Sequence, residues 1–357
     1  MKERTRMVLV GGFLGAGKTT LINKLAQHFL AAGVPIGVVT NDQGQMLVDT
    51  EFVKMRGLDV EEVPGGCFCC NFQKLIDGAE SLVDRVRPQY ILAEPVGSCT
   101  DLIATVAAPL KAYHGDSYST APLMVLVDGP RIMAEPLATS GKGGYLRNHQ
   151  LEEAELLVLS KTDQMRVDDI VQVEAVLRGI NPEARIIRYS AVSGEGMEQI
   201  LLHIESEEET NRQPVDVDYD IYADAEAELG WYNGVFEFQS PEYDSYTLSM
   251  DILRRLSEKY PSQAIAHAKV ALTSESNHTK VSLVGNELSV GGVFGSRYGK
   301  GPSKLNFNAR VVSQPGDLRD AARASVQESL SQIDQEHLLV TDACFSPGRP
   351  NPTFRLT

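Results

Sequence analysis

Three stretches of this sequence bring together residue types that can do chemistry. The first is Gly12-Phe-Leu-Gly-Ala-Gly17-Lys18-Thr19, which has GxxxxGK[ST] spacing. Its glycines let the backbone curl so that successive N–H groups point inward at phosphate oxygens. Lys18 can then reach the β- and γ-phosphates, and the Thr19 hydroxyl can hold Mg²⁺. The second is Gly65-Gly66-Cys67-Phe68-Cys69-Cys70, three thiols within four positions. Thiolates are soft ligands suited to Zn²⁺, Cu⁺ and other thiophilic ions, and the glycines let a loop wrap an ion. Three thiolates leave a coordination position open, which suits transfer better than a closed structural site. Water, Cys99, a His or a partner's group could fill it.

The third stretch is Ser160-Lys161-Thr162-Asp163, which follows the apolar run Leu156–Leu159. In GTPases an NKxD segment stands here. Its Asp accepts hydrogen bonds from guanine N1 and N2, and its Lys lies over the base. Lys161 and Asp163 fit, while Ser160 replaces the usual Asn. A later run, Ile186–Tyr189, ends in Ser190-Ala191, where such proteins present a backbone amide to guanine O6. Taken in order after a phosphate loop, these segments favour GTP over ATP.

These residues need strands and helices to position them. Met7–Val10 reads as a strand before the phosphate loop. Thr19–Ala32 reads as a helix after it, with Leu21, Leu25 and Phe29 four apart. Its N-terminal end adds positive potential for phosphate. Ile36–Thr40, Tyr90–Ala93, Leu123–Val127, Leu156–Leu159 and Ile186–Tyr189 are further strands, and Asp163–Gly179 is a helix. Alternating β and α units predict an α/β P-loop NTPase domain with a mostly parallel sheet. After residue 226 the pattern changes. Gly234–Gln239, Ala266–Thr273, Lys280–Leu283, Leu288–Phe294 and Leu305–Val312 read as strands. Ser249–Tyr260 and Asp317–Ile333 read as helices. That is the pattern of a smaller α+β domain with a mostly antiparallel sheet. The expected boundaries are 1–204 for the GTPase domain, 205–225 for an acidic linker, 226–343 for the second domain and 344–357 for an irregular tail.

The chain of 357 residues has a formal net charge of -15, with 33 Lys+Arg and 48 Asp+Glu. Of this, -10 lies in Glu198–Glu228, where eleven acidic residues meet only Arg212. Such a balance disfavours nucleic acid and anionic membrane as partners. No run of 18 apolar residues appears, so no spanning helix is expected. The basic start runs through a Gly-broken apolar stretch directly into the phosphate loop, which does not fit a secretion signal. The cytoplasm is the expected compartment, and five Cys there argue against a disulfide framework.

GGFLGAGKTT, GGCFCC, a strand ending in Glu94, a later Val-Asp and QLEEAELLVLSKTD together resemble the CobW-like GTPases. Those proteins are relatives of the UreG and HypB metallochaperones in the SIMIBI class. The resemblance covers roughly residues 6–200. It implies that Gly12, Gly15, Ala16, Gly17, Lys18, Thr19 and Thr20 bind phosphate, and that Cys67, Cys69 and Cys70 bind metal. It also implies that Asp42 and Glu94 order Mg²⁺ or the attacking water, and that Gly97 offers its N–H to the γ-phosphate. Glu94-Pro95-Val96-Gly97 departs from the usual Glu-Thr-Thr-Gly. Ser98-Cys99 is similar to a cysteine near this switch in HypB, which makes Cys99 a candidate extra ligand.

The resulting expectation is a GTP-hydrolysing metallochaperone with GTP, Mg²⁺ and a thiophilic divalent ion, Zn²⁺ first, with Co²⁺ or Ni²⁺ compatible. Its partner would be a client metalloprotein or cobalamin-dependent enzyme, with a homodimer as an alternative working form. Turnover is expected to be slow, since no arginine finger is legible. Two rival readings remain at this level. One is a GTP-dependent conformational chaperone of a corrinoid or other metalloenzyme, in which the thiols are sensory or structural. The other is a P-loop small-molecule kinase.

Overall fold

The computed structural model describes residues 4–42, 58–135, 142–333 and 337–357. The chain divides into two compact units. Among the described residues, the first holds 4–42, 58–135, 142–225 and 349–357, and the second holds 226–333 and 337–348.

The first unit is built on a wholly parallel sheet of eight strands. Its strands are β1 (Thr5–Gly12), β2 (Ile36–Asp42), β3 (Val60–Pro64), β4 (Tyr90–Glu94), β5 (Tyr118–Thr120), β6 (Met124–Asp128), β7 (Leu156–Ser160) and β8 (Arg185–Tyr189). The order is β3-β2-β4-β1-β6-β7-β8, with β5 also pairing with β1. Every residue of β1 is buried, as befits a central parallel strand covered on both faces. Thus TRMVLVGG reads as a continuous apolar run rather than an alternating one. Helix α1 (Lys18–Ala31) lays Leu21, Ile22, Leu25 and Phe29 into the core beside Val8, Val10 and Val38. Helix α2 (Phe72–Val86) follows the cysteine loop, and α3 (Ala108–His114) precedes β5. Helices α4 (Gly129–Ala134) and α5 (Lys142–Glu153) lie between β6 and β7. Helices α6 (Val167–Ile180) and α7 (Met197–Glu205) flank β8. Strand β4 pairs with both β1 and β2. Gly12, Asp42 and Glu94 therefore end three adjacent parallel strands on one edge, where open α/β sheets bind ligands.

Residues 205–225, expected as a linker, fall in this first unit. The acidic side chains obscured an apolar set that packs. Val217, Tyr222 and Ala225 are buried with Leu146, and Thr210 N–H donates to Thr120 O at 3.0 Å. Helix α8 (Tyr219–Ala227) ends the segment.

The second unit carries a six-stranded antiparallel sheet, β12-β11-β10-β13-β9-β14 in our numbering. Its strands are β9 (Leu229–Asp244), β10 (Ile265–Ser274), β11 (Asn277–Val284), β12 (Glu287–Gly295), β13 (Tyr298–Val312) and β14 (His337–Phe345). Helices α9 (Ser245–Ser257) and α10 (Pro315–Gln332) supply Ile252, Leu253, Leu318 and Leu330 to a core with Phe236, Val270 and Phe307. Helix α9 starts four residues earlier than the apolar spacing predicts. Asp244 caps it, its carboxylate accepting from Tyr246 N and Thr247 N at 3.1 Å. Strand β14 was not foreseen, and it carries Cys344 and Phe345 out of the expected tail. Phe345 stacks on Trp231, to which it is also strand-paired. Among the described residues no helix is long and apolar enough to cross a membrane.

Candidate functional site

The phosphate loop has the conformation its glycines permit. Gly12, Gly15 and Gly17 have φ of 127°, 85° and 99°. At Gly12 a Cβ would stand 2.5 Å from Leu126 O, so sterics and conformation both demand glycine. Gly17 leads into α1 with no side-chain cap, and the first turn holds no acidic residue. The N–H groups there are left for an anion. The Lys18 ammonium donates to Gly12 O at 2.8 Å, folded over the loop it serves. Thr19 donates its hydroxyl hydrogen to Glu94 Oε1 at 2.9 Å. A hydroxyl and a carboxylate in contact make the hard oxygen donor set that Mg²⁺ takes. Thr20 follows on α1, and Ala16 N–H closes the loop onto Phe13 O. Gly97 lies at the same end. A Cβ on it would come within 2.7 Å of Leu14 and 3.0 Å of Lys18 Nζ. The side chain of Asp42, at the end of β2, lies outside the described residues.

The residues expected to meet the base, Lys161, Asp163, Ser190 and Ala191, gather at the ends of β7 and β8. Lys161 has φ of 61° and its ammonium bonds Asp128 Oδ2 at 2.6 Å. Ser190 donates its hydroxyl hydrogen to Asp163 Oδ1 at 2.6 Å, while Val192 and Ser193 donate N–H to the same hydroxyl. Ala191 is thus held between ordered residues. Ser160, which stands in place of Asn, is buried. Its hydroxyl sits 2.8 Å from Ala16 O and 2.9 Å from Val127 O. It ties the recognition loop to the phosphate loop through one proton that serves one acceptor at a time.

The cysteines form one cluster. The sulfurs of Cys67, Cys69 and Cys99 all lie within 4.8 Å of one another and are buried. Cys70 Sγ lies 3.3 Å from Cys67 Sγ and 3.6 Å from Cys69 Sγ, and it is the more exposed thiol of the four. Cys67 is held well below the usual thiol range by its contacts with the sulfurs of Cys69, Cys70 and Cys99. The same contacts, Cys67 first, push Cys69 up, and contact with Cys67 raises Cys70 to about 11. A cation held among these sulfurs would draw off protons from them. Asn41, next to the end of β2, donates its amide to Val63 O and Gly66 O at 2.8 and 2.7 Å. That pins the glycine before Cys67 to the nucleotide side of the sheet.

Several participants have no motif. Gln150 of α5 donates Nε2 to Gly97 O at 3.1 Å and to Cys99 O at 2.7 Å. Arg131 and Arg147 both lie over the Phe13 ring, with guanidinium carbons 5.5 and 5.9 Å from its centroid. Arg131 also reaches Leu14 O at 3.5 Å. These side chains line a half-open pocket with Leu126, Asp128 and Ile132. Each comes from a helix far along the chain, so only folding sets it beside the phosphate loop.

Residues 6–188 match the family model described as CobW/HypB/UreG, nucleotide-binding domain, which is more than half the chain. The chain belongs to the CobW/HypB/UreG family. The zinc chaperone YeiR of Escherichia coli (strain K12) is 29% identical over 163 residues, 45% of this chain and 47% of the relative. The zinc chaperone CobW of Sinorhizobium sp is 30% identical over 185 residues, covering 43% and 50%. The hydrogenase maturation factor HypB of E. coli (strain K12) is 27% identical over 195 residues, covering 54% and 60%. The chain thus spans about half the length of these relatives. Among solved structures, HypB from Helicobacter pylori in complex with nickel has 19% identity and a TM-score of 0.42 over 61% of this chain and 93% of that one. Zn(II)-bound YjiA GTPase from E. coli has 16% identity and a TM-score of 0.41 over 90% and 98%.

Proposed function

We propose that this CobW/HypB/UreG-family chain hydrolyses GTP and uses its nucleotide state to set its hold on a thiophilic divalent ion, which it passes to a client metalloprotein. One observation carries the reading. The short segment from Glu94 to Cys99 touches both chemistries. Glu94 bonds the Thr19 hydroxyl. Gly97 stands against Lys18. Cys99 shares the thiol cluster.

Thr19 and Glu94 are the residues that would hold Mg²⁺, which when bound neutralises charge on the β- and γ-phosphate oxygens. Lys18 adds charge at the same oxygens, and Gly97, close beside the Lys18 ammonium, would offer its N–H to the γ-phosphate. Asp163, oriented by Ser190, supports guanine over adenine. Loss of the γ-phosphate removes the contact at Gly97 and lets the segment relax. Gln150 grips the carbonyls of both Gly97 and Cys99, so movement at one is delivered to the other. Displacing Cys99 from Cys67 and Cys69 weakens the site, and the ion can leave. Relatives named zinc chaperones support Zn²⁺ as the cargo. The client in this reading is a metalloprotein or a cobalamin-dependent enzyme.

The test is Zn²⁺ affinity measured by competition with a chromogenic chelator, with GDP and with a non-hydrolysable GTP analogue. A difference of tenfold or more that disappears in Cys99→Ser is expected. Equal affinities in both states would sink the coupling.

A further inference from the structure

After β14, and three intervening residues, the chain re-enters the first unit, where residues 349–357 lie directly on the cysteine loop. Thr353 N–H donates to Cys69 O at 2.8 Å, and the Thr353 hydroxyl to Cys70 O at 3.2 Å. Asn351 N–H donates to Cys70 Sγ at 3.2 Å. Phe354 packs edge-on against Phe72, the first residue of α2, with ring centroids 5.4 Å apart. Leu356 N–H donates to Ala104 O at 2.9 Å. The Arg355 guanidinium bonds Asp101 Oδ2 at 2.8 Å, two residues past Cys99. Asp101 is buried and also accepts from the Tyr219 hydroxyl at 2.7 Å. Phe354 also meets the Tyr113 ring at 5.0 Å, and Arg349 pairs with Asp220 at 2.7 Å. A Pro-rich segment with no secondary structure of its own is thereby fixed by backbone bonds, two aromatic contacts and two ion pairs.

The four thiols are not equivalent under this segment. Cys67, Cys69 and Cys99 are 4%, 2% and 1% exposed, so none can meet an acceptor directly. Cys70 is only partly buried, and beside the sulfurs of Cys67 and Cys69 its own accepts the backbone N–H of Asn351. We propose that Cys67, Cys69 and Cys99 hold the ion while Cys70 is the thiol through which it enters and leaves, and that Arg349–Thr357 is the cover over that exit. An N–H donated to a sulfur draws on the lone-pair density that a metal or acceptor would use. Lifting the segment frees Cys70 to bind the ion as one of the holding sulfurs lets go. An acceptor thiol then loses its proton and binds the ion as Cys70 releases it and takes a proton. No electrons change hands.

This division of roles rests on the metal-carrying reading, and its test separates the two. Three chains are compared with the full sequence: one ending at Gly348, Arg355→Gln, and Cys70→Ser. Metal-free protein is first treated with Ellman's reagent. Loss of a few hydrogen bonds predicts thiol reaction roughly tenfold faster or more in the shortened chain, and a smaller increase in Arg355→Gln. This arm reads the cover whether or not the protein carries metal. Zn²⁺-loaded protein is then mixed with the chelator 4-(2-pyridylazo)resorcinol. Transfer should accelerate by a similar factor on shortening. In Cys70→Ser it should be slow and indifferent to shortening. Unchanged thiol reactivity in both the shortened chain and Arg355→Gln overturns the cover. Acceleration by shortening that persists in Cys70→Ser overturns the role of Cys70. Absence of Zn²⁺ binding by the full chain would refute the metallochaperone reading instead, leaving the thiol arm to decide the cover. Should the shortened chain fail to fold by circular dichroism, Arg355→Gln decides both arms with the whole chain present.

Discussion

Replacing Glu153 by Gln should make the first unit more stable at neutral pH and remove part of its pH dependence. Glu153 ends α5 and is 1% exposed. Burial first, and the nearby Asp101 carboxylate second, push it up to about 8 from an ordinary 4.5. Hydrogen bonds from Ile103 N–H and the Thr100 hydroxyl, at 3.2 and 3.1 Å, hold its two oxygens in place. Between those pKa values the folded chain keeps a proton that the unfolded chain has released. Stability therefore falls as pH rises through the window. Integrating the linkage relation from pH 5 to pH 7.5 gives a loss of about 3 kcal/mol from this one group. Glutamine is neutral throughout. Its Oε1 can accept from Ile103 N–H and its Nε2 can donate to Thr100 Oγ1, as the hydroxyl of the neutral acid would. Thermal unfolding should show the variant gaining on the natural chain by roughly 6–12 °C between pH 5 and pH 7.5, for a unit of this size. Comparing the two at each pH cancels every other titrating group. Parallel curves would show that Glu153 titrates normally in the fold and would refute the reasoning.

Asp163→Asn should cost about a hundredfold in GTP affinity, because the amide cannot accept from both guanine N–H groups, and binding assays should show xanthosine triphosphate preferred instead. Arg131→Ala should slow GTP turnover roughly tenfold in a phosphate-release assay with little change in nucleotide affinity, since its guanidinium lies 3.5 Å from Leu14 O within the phosphate loop and adds positive charge there. Equal loss in affinity and turnover would make that side chain merely structural. Gly196→Ala should destabilise the fold by about 2 kcal/mol or more on urea unfolding, because φ is 75° there and a Cβ would fall 1.9 Å from Arg188 O. Gly97→Ala should spare stability yet depress turnover, as its Cβ meets the movable ends of Leu14 and Lys18 rather than backbone.

The parallel sheet and the phosphate loop were legible because they are local. A run such as TRMVLVGG, glycines at fixed offsets and a helical period need only neighbours in sequence to be recognised. Asp163 and Ser190 were legible as separate motifs, but their mutual hydrogen bond was not. Residues 205–225 read as a linker in the sequence because charge hides packing. Their eight acidic side chains suggest a tether, while the few apolar side chains among them decide where the chain lies. Helix α9 was misplaced for want of its Asp244 cap, and β14 was missed because its pairing with β9 is long-range.

The sequence by itself determined the inventory: a glycine-cradled phosphate site, a Lys-x-Asp base loop, a crowded set of thiols and two differently patterned halves. Each follows from residue type and spacing, which act over a few ångströms along the chain. Only tertiary structure decided which thiols act together. Cys99 is 29 residues from Cys70 and reaches Cys67 and Cys69 because β4 runs beside β2, whose neighbour β3 leads into the cysteine loop. Gln150, Arg131 and the Asn351–Thr353 cover reach the site in the same way. Cross-strand and cross-helix neighbours are set by how buried faces pack, and no single segment carries that information.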